Sequence, residues 1–219
     1  MPNVGVVLSG CGVYDGSEIH EAVLTLLALD RAGADIKCLA PDITQMHVID
    51  HLEGHEVAHE KRSVLIESAR IARGNIDALA GCDVGELDAV ILPGGFGAAK
   101  NLCDFAVNGI NLSVDPVVND FLIECNEAGK PLGFICIAPV IAAKVFGSKK
   151  PVLTIGDDPD TASAIENLGA KHKDCPADDC IVDKRNKIVT TPAYMLAGSI
   201  REAADGIEKL VEEVLALVD

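Results

Sequence analysis

Pro131-Leu132-Gly133-Phe134-Ile135 is an apolar run that meets a cysteine, Cys136, and then a helical run from Ile137 to Phe146. Strand, sharp turn and helix in that order make a nucleophile elbow. The turn holds the nucleophile above the strand end, and the helix directs its N-terminus towards it. Helix-end N–H groups and the helix dipole favour a thiolate, so a thiol placed here should ionise more readily than a free one. A free cysteine also serves as a small buried hydrophobe, and the heptapeptide 133–139 alone leaves both readings open.

The same strand-then-helix rhythm extends in both directions. Val4-Gly5-Val6-Val7-Leu8 reads as a buried first strand that ends in the glycine turn Ser9-Gly10-Cys11-Gly12. Ser17 with Glu18 and Glu21 reads as the capped start of an amphipathic helix that stops at Gly33. Residues 35–40 predict a second strand, 62–73 a helix, 87–92 a third strand and 114–128 a helix. Beyond the elbow helix come a strand at 152–154, a helix near 160–168, strands near 180–183 and 187–191, and a long amphipathic helix over 198–218. Residues 42–61 are polar and histidine-rich and resist assignment. Alternating strands and helices predict a mostly parallel sheet covered on both faces, in one α/β domain spanning residues 1–219. Ligands of such sheets bind at the carboxyl ends of the strands. The loops 9–17 and 93–97 and the residue Cys136 all follow strands, so they should share that edge.

Composition narrows the function. The chain has 219 residues, 49% of them apolar, with no Trp, two Tyr and five Phe. Small and branched side chains must therefore fill the core, which suits helices packed closely on a parallel sheet. A net charge of −16 without a basic patch excludes a nucleic-acid partner and fits a solvated acidic surface. No apolar run reaches membrane-spanning length, and the first basic residue is Arg31, so no targeting segment is expected. Eight cysteines with no CxxC pair predict reduced thiols in a cytosolic protein. Cys175 and Cys180 are spaced CxxxxC and lack a second ligand pair for zinc.

The loops carry the remaining chemical signals. Gly94-Gly95-Phe96-Gly97 exposes backbone N–H groups that could stabilise an oxyanion beside a thiolate, or form a plain turn. It lacks the Gly-Lys-Ser/Thr ending of a phosphate loop. Gly10-Cys11-Gly12 opens like a dinucleotide fingerprint, but Asp15 stands where the third glycine belongs. Glu18 and Glu21 could serve the helix dipole alone, or one of them could approach Cys136 as a proton carrier. His47, His51, His55 and His59 recur every four residues, but without an HExxH pattern and with Gly54 interrupting any helix. A solvated loop is the expectation there, with no metal site. No Cys–His–acid triad is evident: His172 lies in a charged stretch, and His20 should point away from the thiol.

Three motifs together resemble the ElbB branch of the ThiJ/PfpI superfamily, related to class I glutamine amidotransferases. They are Gly-Lys-Pro-Leu-Gly-Phe-Ile-Cys-Ile-Ala-Pro (129–139), Leu-Pro-Gly-Gly-Phe-Gly-Ala-Ala-Lys-Asn-Leu (92–102) and Ser-Gly-Cys-Gly-Val-Tyr-Asp-Gly-Ser-Glu-Ile-His-Glu (9–21). Thr190-Thr191-Pro192-Ala193-Tyr194-Met195 is similar to the same branch, and the likeness spans nearly the whole chain.

The resemblance implies a flavodoxin-like three-layer sandwich, with Cys136 as the elbow nucleophile and Glu21 as the carboxylate approaching it. It implies backbone donors from Gly95 and Ile137, with Gly94 beside them, and a homodimer. Ile137 departs from relatives that carry histidine after the cysteine, and the amidotransferases' late His-x-Glu pair is missing, which disfavours glutaminase activity. ElbB-like proteins are described as glutathione-independent glyoxalases and as linked to isoprenoid biosynthesis. The function implied is conversion of glyoxal or another small dicarbonyl to a hydroxy acid, with no cofactor and no metal. Cys136 would add to an aldehyde to give a hemithioacetal, and Glu21 would move the proton through an enediolate. The alternatives are a thiol redox sensor or protective binding protein with little turnover, and a cysteine hydrolase or amidase of the same superfamily.

Overall fold

The computed structural model describes residues 1–218. In chain order the first elements are β1 (Asn3–Val7), α1 (Ile19–Arg31), β2 (Asp35–Ala40), β3 (Ile49–Asp50), β4 (His55–Glu56), α2 (Val64–Ile71) and β5 (Asp77–Ala78). Then come β6 (Ala89–Leu92), α3 (Phe96–Lys100), α4 (Phe105–Asn108), α5 (Pro116–Glu127), β7 (Leu132–Ile135) and α6 (Pro139–Phe146). The last are β8 (Val152–Leu153), α7 (Pro159–Asn167), β9 (Lys171–His172), β10 (Ile181–Asp183), β11 (Ile188–Thr191) and α8 (Ile200–Ala216).

Seven strands form the central sheet in the order β10-β11-β7-β6-β1-β2-β5. Every pairing is parallel except the edge pair β10–β11, as the sequence pattern predicts for a mostly parallel sheet. Strand side chains alternate between faces. Val4 and Val6 of β1 and Ile91 of β6 pack with Ala22 and Leu29 of α1 and with Ile207, Leu210 and Val214 of α8. Val7, Val90, Leu92, Leu132 and Phe134 face the opposite layer, built from α5 and α6. The result is the expected flavodoxin-like sandwich. Chain direction across the sheet reverses between β1 and β6, so the loops after those two strands flank the crevice where such sheets bind ligands.

Several local expectations are corrected. Helix α1 is capped by Glu18, whose carboxylate accepts the Glu21 amide at 2.7 Å, and not by Ser17. Ser17 is buried, and its hydroxyl accepts the Ser9 amide at 2.9 Å, which ties the glycine turn to the helix start. Strand β8 does not join the central sheet; it pairs with β9, which the sequence does not announce. The elbow helix begins at Pro139 rather than Ile137, because residues 136–138 are spent on the turn. Residues 42–61 form the small hairpin β3–β4, whose two-residue strands are too short to leave a periodic signal.

Candidate active site

Cys136 sits between β7 and α6 with φ of 62°, a left-handed conformation that is costly for a residue with a Cβ. The surrounding structure pins it there. Its amide donates to the Thr191 carbonyl at 3.0 Å, and the amides of Gly95 and Ile137 point at its sulfur. Strain of this kind persists where neighbours over-determine it, and it gathers at functional sites.

The three loops that follow β1, β6 and β7 meet at this point. The Glu18 amide donates to the Gly94 carbonyl at 2.9 Å, the Phe96 amide to the Val13 carbonyl at 2.8 Å, and the Gly97 amide to the Gly16 carbonyl at 2.8 Å. Glu21, one turn into α1, is fully buried beside the thiol. Its Oε2 accepts the Gly94 amide at 3.0 Å, and its Oε1 accepts the Tyr194 amide at 3.1 Å. The Gly94 amide is therefore directed at the carboxyl, and Gly95 and Ile137 supply the N–H groups facing sulfur.

Burial pushes the Glu21 carboxyl up from its ordinary 4.5 to about 8, against the lowering effect of the Tyr194 amide; the Glu18 charge adds to the rise. Burial also pushes the Cys136 thiol well above its ordinary value, with the Glu21 charge acting in the same direction. The helix end does not win here: the amides of Gly95 and Ile137 lower the thiol pKa, but desolvation outweighs them. At neutral pH Glu21 holds its proton, carries no charge and can donate it towards sulfur.

A cavity of about 370 Å³ opens over Cys136. Its walls are largely apolar, with Val13, Phe96, Phe105, Ile137 and Met195 among them, and its polar lining side chains are Glu18, Thr161 and Tyr194. Phe105 and Thr161 carry no sequence motif. Tyr194 and Met195 lie within the family-like stretch 190–195 but show no chemical pattern of their own. No lysine, arginine or histidine lines this cavity. His20 is hydrogen-bonded to the Tyr194 hydroxyl at 2.9 Å, at the exposed end of α1.

The other sequence candidates fall outside this chemistry. Asp15, in place of a dinucleotide-site glycine, is buried and accepts the Ile49 amide at 2.7 Å, fastening the hairpin β3–β4 over the glycine turn. His51 accepts the Tyr14 amide at 3.2 Å and lies 3.7 Å from Asp15. Among the described residues no three His, Cys, Asp or Glu side chains are grouped to hold a metal. All eight cysteines are free thiols.

A strained cysteine between a parallel strand and a helix, paired with a buried acid from the first turn of α1 at the switch point, defines an α/β protein of the nucleophile-elbow class. No family model matches the chain. It is 49% identical to the human "glutamine amidotransferase-like class 1 domain-containing protein 3, mitochondrial", over 98% of this chain and 82% of the human protein. A solved "isoprenoid biosynthesis protein with amidotransferase-like domain" from Ehrlichia chaffeensis superposes with a TM-score of 0.93 at 35% identity, covering both chains completely. A ThiJ/PfpI domain protein from Brachyspira murdochii shares the fold, with a TM-score of 0.58 at 16% identity over 98% of this chain and 96% of that one. The chain belongs to the class I glutamine amidotransferase-like family. The cytosolic location expected from the sequence is corrected by the human and rat relatives, which are named as mitochondrial proteins. Among the described residues, no helix is long and apolar enough to cross a membrane.

Proposed function

We propose that the protein is a cysteine-dependent, glutathione-independent glyoxalase of the ElbB type, converting glyoxal to glycolate. The observation that supports this reading is the coupling of Cys136 to a buried Glu21 whose carboxyl is pushed to about 8. A general acid–base group works best when its pKa lies near the working pH, and this one touches the nucleophile. The reactive form holds one proton between the two groups. The Cys136 thiolate adds to an aldehyde carbon, forming the C–S bond, and the carbonyl electron pair moves to oxygen, which takes the Glu21 proton. Glu21, now a carboxylate, removes the hydrogen from that same carbon as a proton, giving an enediolate. It returns the proton to the neighbouring carbon while the hydroxyl proton of the first carbon passes to the neighbouring oxygen, so one carbon is oxidised to a thioester as the other is reduced to an alcohol. Water then cleaves the thioester, releasing the hydroxy acid and the thiol. The amides of Gly95 and Ile137 are placed to bind the oxyanions. The redox change is internal, so the scheme needs no external oxidant, metal or redox cofactor.

In this reading the chain acts as one domain, in mitochondria after the naming of the human relative, and as a homodimer. The lining of the cavity supports independence from glutathione, because no basic side chain waits there for the carboxylates of that tripeptide. It also weighs against an amidase, since no histidine lines the cavity to protonate a leaving amine. The test is glycolate formation from glyoxal, without glutathione, by the wild type and Cys136→Ala side by side. A rate well above background that vanishes in the variant supports the reading. Equal rates from both proteins, or no rate from either, defeat it.

A further inference from the structure

The cavity over Cys136 is far larger than glyoxal requires. At about 370 Å³ it falls within the range of roughly 300–1,000 Å³ typical of sites that enclose drug-sized ligands. Glyoxal has only four non-hydrogen atoms, and with its aldehyde carbon at Cys136 it would leave most of the apolar wall facing water. That wall is specific in its chemistry. Phe96 and Phe105 come from α3 and α4, Ile137 and Met195 belong to the elbow and to the turn after β11, and Val13 comes from the loop after β1. Phe96 is 48% exposed, a large aromatic surface held beside the site, with Lys100 Nζ 5.3 Å from its ring centroid. The charged lining residue is Glu18, whose carboxylate is already engaged by the Glu21 amide at 2.7 Å. An anionic tail would therefore meet one carboxylate and no basic residue of the lining itself, and the Lys100 ammonium over Phe96 already donates to the Tyr14 carbonyl at 2.9 Å. A neutral apolar tail would cover wall that is otherwise wet.

Building on the glyoxalase reading, we infer that the site takes neutral 2-oxoaldehydes carrying an alkyl or aryl tail in preference to glyoxal or methylglyoxal, with the tail lying against Phe96, Phe105 and Met195. Polar contacts fix the reacting end at Cys136, Gly95 and Ile137, and the apolar walls select the remainder. Anionic oxoaldehydes are excluded by the absence of a basic lining residue.

Two measurements on the full chain test this independently of each other. The first is kcat/KM for methylglyoxal, 2-oxohexanal and phenylglyoxal, in the wild type and in a Phe105→Ser, Met195→Ser double variant. A rise of about tenfold or more from methylglyoxal to the tailed substrates is expected, since even one added methylene commonly changes specificity by that factor. The ratio should shrink in the variant, and dividing the wild-type ratio by the variant ratio cancels the intrinsic reactivity of each aldehyde. The second measurement is protection of Cys136 from iodoacetamide by acetaldehyde and by hexanal, which needs no turnover. Hexanal is expected to protect at about tenfold lower concentration or less. Cys136-dependent turnover that is flat along the series overturns the inference and leaves the glyoxalase reading intact. Tail-dependent protection with no turnover of any oxoaldehyde overturns the glyoxalase reading and keeps the apolar selectivity of the site. Flat protection without turnover overturns both.

Discussion

Gly94 is wedged between the two reacting side chains, and Glu21 holds it there. Its amide donates to Glu21 Oε2 at 3.0 Å, and a Cβ built on Gly94 would lie 2.5 Å from that same oxygen and 2.4 Å from Cys136 Cβ. The close approach of acid and nucleophile thus depends on a residue without a side chain between them. Gly94 is not left-handed, so the requirement is one of space.

Gly94→Ala is therefore expected to separate Glu21 from Cys136. Overpacking at a rigid buried site costs about 1–3 kcal/mol. Urea denaturation should show that loss, and Cys136-dependent activity should fall far more steeply than stability. A variant with unchanged activity would show that the two groups need not touch.

The buried acid makes stability pH-dependent with a definite sign. The folded Glu21 keeps its proton up to about 8, whereas an unfolded carboxyl loses it near 4.5. Between those values the folded state binds more protons, so this contribution is fully present below the unfolded pKa and is lost as pH rises through the folded one. The unfolding free energy of the wild type, from urea denaturation, is expected to fall between pH 5 and pH 9 by an amount on the order of a few kcal/mol. In Glu21→Gln that part of the slope should disappear. The same variant loses an acceptor, because the Gly94 and Tyr194 amides each need an oxygen and Gln supplies only one. An unpaired buried amide costs about 1–3 kcal/mol, so Glu21→Gln should be the less stable protein at pH 5. Parallel pH profiles for the two proteins would contradict the assignment of the slope to Glu21.

Backbone strain at Cys136 can be read by comparing two substitutions. At φ of 62° an alanine keeps the left-handed penalty, which is about 1–2 kcal/mol, and a glycine relieves it. Cys136→Gly should match or exceed Cys136→Ala in thermal stability despite glycine's greater loss of chain entropy. Both should be inactive. A glycine variant that melts well below the alanine variant would show that no strain is stored at the elbow.

Reactivity of the thiol distinguishes an enzyme from a sensor. With Cys136 only 8% exposed and its pKa pushed well above its ordinary value by burial, it should alkylate slowly at pH 7 and faster only as the solution is made more alkaline. Peptide mapping after brief iodoacetamide or dilute peroxide treatment is the measurement. Selective, rapid modification of Cys136 at pH 7 would favour redox sensing, because sensor thiols react as accessible thiolates.

Much of this site is written locally in the chain. The Gly133–Pro139 heptapeptide marks the elbow because strand, cysteine and Pro-started helix are consecutive, and local sterics make that turn sharp. The strands β1, β6, β7 and β11 are legible because both their faces are buried, which demands continuous apolar runs. Period-3.6 burial likewise marks α8, whose Ala203, Ile207, Leu210 and Val214 face the sheet. The pairs β3–β4 and β8–β9 escape notice because two residues cannot show a period. Ser17 mimics a cap because the sequence does not reveal that its hydroxyl is already committed to Ser9.

Local pattern and chain direction are enough to set the alternation that builds a parallel sheet, the elbow, and which loops share an edge. The chemistry arises only once the chain is folded. Glu21 and Cys136 are 115 positions apart in the chain, and what sets their proton affinities is the water removed around them when the loops close. Desolvation depends on everything packed nearby, so no local stretch encodes it. The apolar chamber is of the same kind: Val13, Phe96, Phe105 and Met195 line one cavity only because four separate segments converge above one cysteine.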